Sequence, residues 1–331
     1  MKRIELLRHD RPDRACEAIE AEDPGKPAEN EALVSIHCAA INPADLLIFE
    51  GRYPGPDSLP APVGIEGAGV VEAVGTGVSD LAPGDHVISL GRANWAEKVL
   101  GDAQTFIKVP KELDFRLAAQ LKANPPSAKL MLADYEELEA GDWVIQNAAN
   151  SAVGRHIIRM AKAKGIKTIN IVRREALVPE LEELGADIVL LDNGDLASEV
   201  RARTGTGAAI KLGIDAIGGT ATSHMADCLS VGGTVVNYGF LSGEPCQMTP
   251  THLIVNGLSL EGFWLVGFMR SNARPAIEAL YSEMSGLFMD GTLLAPVEAE
   301  YGLEDIQAAL AHAHRESRDG KILLLPNGPL S

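Results

Sequence analysis

The chain predicts an α/β fold in two parts: a β-rich domain built as a partly open barrel, and a doubly wound parallel sheet. Three observations carry that prediction. Residues 1 to about 120 hold short apolar runs broken by Gly and Pro, and from about 121 helix and strand patterns alternate. Within the second part, Trp143 to Arg174 reads as strand, small-residue turn, amphipathic helix and strand. After residue 268 further helices lead to Lys321-Ile322-Leu323-Leu324-Leu325, a strand expected to return to the first part. The expected domains are therefore 1–120 completed by 269–331, and 121–268.

In the first part, residues 32–36 and 69–75 read as strands, and Ala82-Pro83-Gly84-Asp85 is a turn ahead of His86-Val87-Ile88. His37 and His86 lie in such runs and are expected to pack rather than to bind a ligand. In the second part, Glu180 to Leu184 reads as helix ended by Gly185. Strands are expected over 188–191, 214–217 and 232–236, with a helix from Thr222 to Leu229. Parallel strands need crossovers of this kind, because consecutive strands must run in the same direction.

The turn between Trp143-Val144-Ile145 and the first helix is Asn147-Ala148-Ala149-Asn150-Ser151-Ala152-Val153-Gly154. Small side chains let the backbone turn tightly and leave N–H groups free to meet a pyrophosphate at the helix N-terminus. Gly154 takes the last position of the glycine fingerprint, while Ala149 and Ser151 replace the first two glycines. Val153, Ile157, Ile158 and Ala161 form one apolar helical face, Gly165 ends the helix, and residues 168–172 form the next buried strand.

An acidic residue about 20 positions on would bind the ribose 2′-hydroxyl of NADH, whereas arginine there accommodates the 2′-phosphate of NADPH. Here the residue 19 positions after Gly154 is Arg173, followed by Arg174. A guanidinium binds phosphate through charge-assisted hydrogen bonds worth about 1.5–3 kcal/mol each. The pattern selects NADPH over NADH, or else places two solvated arginines in a loop.

The sequence has 331 residues, 46% hydrophobic and 23% charged, with a formal net charge of −17. That charge disfavours nonspecific binding to nucleic acid or an anionic membrane. No run approaches the 18 or so apolar residues that span a bilayer. The N-terminus alternates charged and apolar residues and lacks a signal-peptide core, so a cytoplasmic setting is expected. Cys16, Cys38, Cys228 and Cys246 show no CxxC spacing and are expected to be buried structural thiols.

The order β-rich portion, nucleotide domain and C-terminal return resembles the medium-chain dehydrogenase/reductase superfamily over nearly the whole chain. The segments that carry the resemblance are Ile41-Asn42-Pro43-Ala44-Asp45, residues 62–71, Pro83-Gly84-Asp85, Leu184-Gly185-Ala186-Asp187 and residues 232–239. The resemblance implies a GroES-like barrel joined to a Rossmann sheet. Zinc alcohol dehydrogenases of that superfamily place cysteine where this chain has Asn42 and histidine where it has Ile65, ahead of the shared Glu66. The four-cysteine structural lobe is missing too, so a metal-free active site is expected.

More closely, the chain resembles the mitochondrial-type 2-enoyl thioester reductases, which reduce trans-2-enoyl-CoA or enoyl-acyl-carrier-protein with NADPH. Gly51-Arg52-Tyr53 is similar to the segment carrying that family's catalytic tyrosine, and Asn124-Pro125 to its cofactor-contacting turn. Residues 146–151 are similar to its glycine-poor phosphate loop, and Gly262-Phe263-Trp264-Leu265 and Gly320-Lys321-Ile322-Leu323 complete the match. Carried over, the resemblance implies NADPH contacts from Asn124, Ser151, Ala152, Val153, Gly154, Arg173, Arg174, Tyr238, Gly239, Phe240, Leu241, Phe263, Trp264, Leu265 and Lys321. A homodimer is also implied, because exposed edges of such sheets commonly pair. The chain departs from the family at Lys129, where an aromatic residue is usual.

Hydride addition to C3 of a 2-enoyl thioester leaves negative charge on the thioester oxygen and requires a proton at C2. Tyr53 can hydrogen-bond the enolate or deliver that proton, or it is an exposed turn aromatic. Asn42 either holds substrate or nicotinamide through its amide or caps the turn at Asn42-Pro43, and Glu66 is expected to satisfy backbone groups. Trp95, Phe263, Trp264 and Phe268 are candidates for an acyl channel. CoA and acyl carrier protein are both anionic, so Lys129, Arg270, Arg274, Arg315 and Arg318 are candidates for the mouth of the cleft. A zinc-free NADPH:quinone or enone reductase is the alternative enzyme, and a nucleotide-binding protein without turnover the alternative class.

Overall fold

The first strands pair at the N-terminus: β1 (Lys2–Leu6) runs antiparallel to β2 (Cys16–Glu20). After β3 (Glu31–Ala40), the two-residue β4 (Ala61–Pro62) takes the other side of β1. The computed structural model describes residues 1–330 except 194, 206, 316 and 317. β3 pairs with β5 (Glu66–Val74), and the register shifts between Leu33 and Val34 and between Ile36 and Cys38. Beside these shifts the backbones close in: a Cβ on Gly69 would lie 1.9 Å from the Ser35 carbonyl oxygen. β6 (His86–Ser89) follows β5, β7 (Lys98–Asp102) pairs with the start of β3, and β8 (Phe106–Lys108) pairs with β6.

The second sheet comprises β9 (Trp143–Gln146), β10 (Lys167–Val172), β11 (Ile188–Leu191), β12 (Ile210–Asp215), β13 (Thr234–Asn237) and β14 (Ser259–Gly262). All are parallel, in the order β11-β10-β9-β12-β13-β14. Strand order reverses between β9 and β12, which opens a crevice beyond their carboxyl ends, where ligands of such sheets bind. The strand expected over 214–217 ends at Asp215, and the helix expected over 222–229 runs Thr220–Ala226. Three-residue turn bonds from Cys228 to Met225 and from Leu229 to Ala226 close that helix early.

The chain then returns through the helix Arg274–Met289 to β15 (Val297–Tyr301) and β16 (Lys321–Leu324). β16 runs parallel to β15 and antiparallel to β3, giving the order β15-β16-β3-β5-β6-β8. Packing divides the chain into Met1–Ala123, Pro275–Gly291 and Ala295–Ser331 as one unit, and Asn124–Arg274 with Thr292–Leu294 as the other.

In the first unit Ile4, Leu6, Ile36, Phe49, Trp95 and Leu324 share one core. Trp95 is wholly enclosed, edge-on to Phe49 at 5.7 Å and donating to the Ala40 carbonyl, so it is a core residue and not an acyl-channel wall. His37 and His86 stack on Phe115, each with ring centroids 4.7 Å away. Burial pushes the thiols of Cys16 and Cys228 up to about 12, whereas Cys246 is half-buried, against the expectation of four buried thiols. No helix among the described residues is long and apolar enough to cross a membrane.

Candidate active site

In the second unit the loop after β9 makes its turn without the usual glycines. Ala148 adopts φ 47°, a left-handed conformation that costs a side-chain-bearing residue about 1–2 kcal/mol. The Ser151 N–H closes the turn on the Ala148 carbonyl at 2.8 Å. Ser151 then caps the helix Ala152–Ala163, its Oγ accepting from the Gly154 N–H at 3.1 Å. A Cβ on Gly154 would lie 2.5 Å from the Ala149 carbonyl oxygen, so only glycine lets this helix start so close to the loop. Behind it, Arg155 donates to the Asn150 carbonyl at 3.0 Å and pairs with Glu180.

The tips of β9, β12 and β13 are tied together by Asp215, which is fully buried. Its carboxylate accepts from Asn147 Nδ2 (2.6 Å), Thr222 Oγ1 (2.6 Å), Asn237 Nδ2 (3.2 Å) and the N–H groups of Ile217 and Gly218. Asn147 Oδ1 accepts in turn from the Ala216 N–H at 2.8 Å. Sequence reasoning missed this residue, although an aspartate between apolar neighbours at a strand end is a visible signal.

At the end of β10, Arg173 is exposed and Arg174 half-buried. The Arg174 Nη2 is buried with no hydrogen-bond partner among the described residues, an unmet donor of the kind a phosphate oxygen satisfies. The Ser151 side chain bonds the Tyr238 phenol, whose pKa burial pushes up to about 12. Gly239, Phe240 and Leu241 follow, with the Leu241 N–H on the Ala216 carbonyl and both larger side chains more than half exposed. Beside them lies a groove of about 330 Å³ whose lining includes Asp192, Ile217, Gly218, His224 and Glu244. The unit thus offers a capped helix start, a free guanidinium nitrogen and an open groove, which suit a phosphorylated dinucleotide.

The remaining expected contacts of this unit are more spread out. Phe263 continues β14, its N–H on the Asn237 carbonyl, and Trp264 lies under the Arg270 guanidinium, 5.4 Å from its ring centroid. Leu265 begins the helix Leu265–Ser271, and Asn124 begins the helix Asn124–Ala133. Among the basic residues expected at the cleft mouth, Lys129, Arg270 and Arg274 belong to this unit and Arg315 and Arg318 to the other.

The first unit holds a buried polar cluster around Asn42. Asn42-Pro43-Ala44-Asp45 begins the helix Pro43–Phe49 as a capping box, in which the Asp45 carboxylate accepts from the Asn42 N–H at 2.8 Å. Asp45 also accepts from the Ile65 N–H at 3.0 Å, and burial pushes its pKa up to about 7. Asn42 Nδ2 donates to Glu66 Oε1 at 2.6 Å, while its Oδ1 accepts from Lys321 Nζ. Of the two readings of Asn42, substrate holder or cap of this turn, the second matches its place as N-cap, and its amide is engaged at both ends inside this unit and only 4% exposed. Lys321, a second expected cofactor contact, turns its amine onto Asn42. Glu66 does satisfy a backbone group, the Ala123 N–H at 3.0 Å.

Below the cluster, Lys122 Nζ donates to the carbonyls of Ile65 and Gly91. Burial lowers the amine of Lys122 to about 7 and that of Lys321 to about 8. Lys122 did not stand out from the sequence, and Asp45 did so only as the end of the segment Ile41–Asp45, although Asn-Pro-Ala-Asp carries the capping-box pattern. Tyr53 lies in the loop after the helix Pro43–Phe49, half-buried against the core, with the Arg92 guanidinium carbon 5.8 Å from its ring centroid.

Comparison with known proteins agrees with this architecture. Residues 28–112 match the alcohol dehydrogenase GroES-like domain, and residues 152–282 match the zinc-binding dehydrogenase family. Fold and matches together define a medium-chain dehydrogenase/reductase. The chain is 37% identical to the mitochondrial enoyl-[acyl-carrier-protein] reductase of Caenorhabditis elegans, covering 86% of this chain and 83% of that protein. It is 36% identical to the Rattus norvegicus protein of the same name, covering 84% and 76%. The chain belongs to this enoyl-acyl-carrier-protein reductase family.

Solved structures agree on the fold. The NADPH complex of Escherichia coli quinone oxidoreductase superimposes with a TM-score of 0.90 at 27% identity, covering 98% of this chain and 100% of that one. The mitochondrial 2-enoyl thioester reductase Etr1p/Etr2p heterodimer of Candida tropicalis gives 0.86 at 25%, covering 98% and 99%. An Etr1p mutant in complex with NADP and crotonyl-CoA gives 0.85 at 25% with the same coverage.

One matching family is named for zinc, and the residues present do not fit that metal. Asn42 and Ile65 supply neither thiolate nor imidazole, and the carboxylate of Glu66 is engaged with an amide and a backbone N–H. Among the described residues no group of three or more His, Cys, Asp or Glu could hold an ion.

Proposed function

We propose that the protein reduces the C2=C3 double bond of a trans-2-enoyl thioester with NADPH, the hydride going to C3 and a proton to C2. The observation that carries the cofactor choice is the unpartnered Nη2 of Arg174 on the sheet that carries the Ser151 helix cap. Family membership and the relatives' names support the substrate class. Bound NADPH supplies the hydride. The N–H groups of Ala152 and Val153, at the start of the helix that Ser151 caps, would hold the pyrophosphate and Arg174 the 2′-phosphate. Tyr53 would donate its hydroxyl proton, first as a hydrogen bond to the developing enolate and then to C2. Asn42, held by Glu66 and Lys321, serves as a strut of the first unit in this reading.

Purified protein mixed with NADPH and crotonyl-CoA should consume the cofactor's absorbance near 340 nm, a property of reduced nicotinamide. Tyr53→Phe should lower turnover about 10²–10⁴-fold, the usual range for a positioned acid, with NADPH binding little changed. Equal turnover in variant and parent would remove Tyr53 from the mechanism. A second reading, a zinc-free NADPH:quinone reductase, is favoured by the higher superposition on quinone oxidoreductase. It predicts oxidation of NADPH by a short quinone and none by crotonyl-CoA. NADPH binding without oxidation by either substrate would point to a protein without turnover. Crotonyl-CoA assayed against a crotonyl-acyl-carrier-protein separates the two possible carriers.

The same proposal includes a homodimer in a cytoplasmic setting. β14 is a sheet edge exposed along its length, and Leu253, Ile254, Val255 and Leu260 expose apolar surface on it and just before it. Such an edge invites pairing with another copy.

A further inference from the structure

We infer that Arg92 is a positioning residue for Tyr53, a role that rests on the reading of Tyr53 as the proton donor. Tyr53 sits in an irregular loop, residues 51–60, rich in Gly and Pro and outside any helix or long strand. A donor in such a loop is useful only if something fixes the ring, because a displacement of an ångström already costs much of the rate. Arg92 makes two contacts with this loop. Its guanidinium carbon lies 5.8 Å from the Tyr53 ring centroid, within cation–π range, and its Nη1 donates to the Pro54 carbonyl at 3.0 Å. One side chain therefore holds both the ring and the backbone beside it.

The anchor beneath Arg92 is itself rigid. The Gly91 carbonyl accepts from Lys122 Nζ at 2.6 Å and from Asn94 Nδ2 at 2.9 Å. Asn94 is fully buried and also donates to the Gly64 carbonyl at 3.0 Å. Lys122 bonds the Ile65 carbonyl as well, so the backbone at Gly91 is pinned to the segment that precedes β5. A chain of contacts thus runs from the buried amine of Lys122 through Gly91 and Arg92 to the phenol of Tyr53. Arg92 is exposed, so its removal leaves no cavity and strands no buried charge, and the core packing of the unit does not depend on it.

The experiment is a double-mutant cycle on the whole protein with NADPH and crotonyl-CoA, using Arg92→Met, Arg92→Lys, Tyr53→Phe and the Arg92→Met/Tyr53→Phe pair. Arg92→Met should lower kcat about 5–20-fold while KM for NADPH and for the thioester stays within about 2-fold, and thermal unfolding should not move. Arg92→Lys, which keeps a cation over the ring, should recover part of the loss. In the Tyr53→Phe background Arg92→Met should cost nothing further, because the hydroxyl it positions is gone. If Tyr53→Phe alone keeps full turnover, the proton-donor reading fails and this inference with it. If Tyr53→Phe is slow but Arg92→Met leaves kcat unchanged, or multiplies the loss in the double variant, the Arg92 inference falls while the Tyr53 reading stands. A raised KM for the thioester at constant kcat would also overturn it, by making Arg92 a substrate contact.

Discussion

At the scale of single residues, the two arginines after β10 are adjacent in sequence but not equivalent in space. Arg173 is exposed to solvent, whereas Arg174 holds a buried Nη2 with no partner among the described residues. Arg174→Ala should therefore raise KM for NADPH by roughly 10- to 100-fold, about the value of one or two charge-assisted hydrogen bonds, and leave NADH nearly unchanged. Arg173→Ala should do less. Initial rates with the two cofactors measure the ratio, and parallel losses would assign Arg174 a structural role. Lys321 yields a prediction from burial: its amine is lowered to about 8, first by desolvation, against an ordinary value near 10.5. Unfolding then takes up a proton between about pH 8 and 10.5, so raising the pH through that window stabilises the fold. The melting temperature of the parent relative to Lys321→Met should rise between pH 7.5 and 9.5, and a flat difference would show that the amine is not destabilised by burial. The arginine pair was legible because its spacing from Gly154 is local. The polar cluster of the first unit was not, since Lys321 meets Asn42 across 279 positions and Glu66 meets it across 24.

At the scale of elements, the periodicity of the helix after β9 was readable because Val153, Ile157, Ile158 and Ala161 all turn inward. Strand ends were less so. The run Ile214-Asp215-Ala216-Ile217 reads as one strand, yet the ladder stops at Asp215 because its carboxylate draws the Ile217 and Gly218 N–H groups into a loop. A pattern of side chains along one strand carries no record of such a cross-strand acceptor. The phosphate loop shows the same limit: its small residues announced a turn, but with the glycines missing nothing marked Ala148 as the residue that takes φ 47°. Asp215→Ala would strand the side chains of Asn147, Thr222 and Asn237 together with two backbone donors. It should destabilise the second unit by about 3–5 kcal/mol, the range for breaking a buried charged network. Urea unfolding measures this, and a loss below about 1 kcal/mol would mean that the strand ends hold their places without it.

At the scale of the whole molecule, charge and sheet edge oppose one another. Each copy carries a formal −17, so two copies repel at low ionic strength. The exposed β14 edge, with Leu260 on it and Leu253, Ile254 and Val255 before it, supplies hydrogen-bonding groups and apolar surface that favour association. If that edge is the contact, salt should tighten the dimer, because screening acts over about 10 Å at 0.1 M and weakens repulsion more than it weakens burial. Sedimentation at 50 and 500 mM NaCl should show a lower dissociation constant at the higher salt, and Leu260→Glu should give a monomer at both. A dimer that salt weakens would instead be held by ion pairs and would exclude this edge. The consequence reaches the cofactor, since β14 runs directly into Phe263, Trp264 and Leu265. Pairing of edges would fix the start of that segment, so the monomeric variant should also show a raised KM for NADPH, and parent activity should fall on dilution below the dimer's dissociation constant. Unchanged KM in a proven monomer would separate assembly from cofactor binding and leave the segment held by β13 alone.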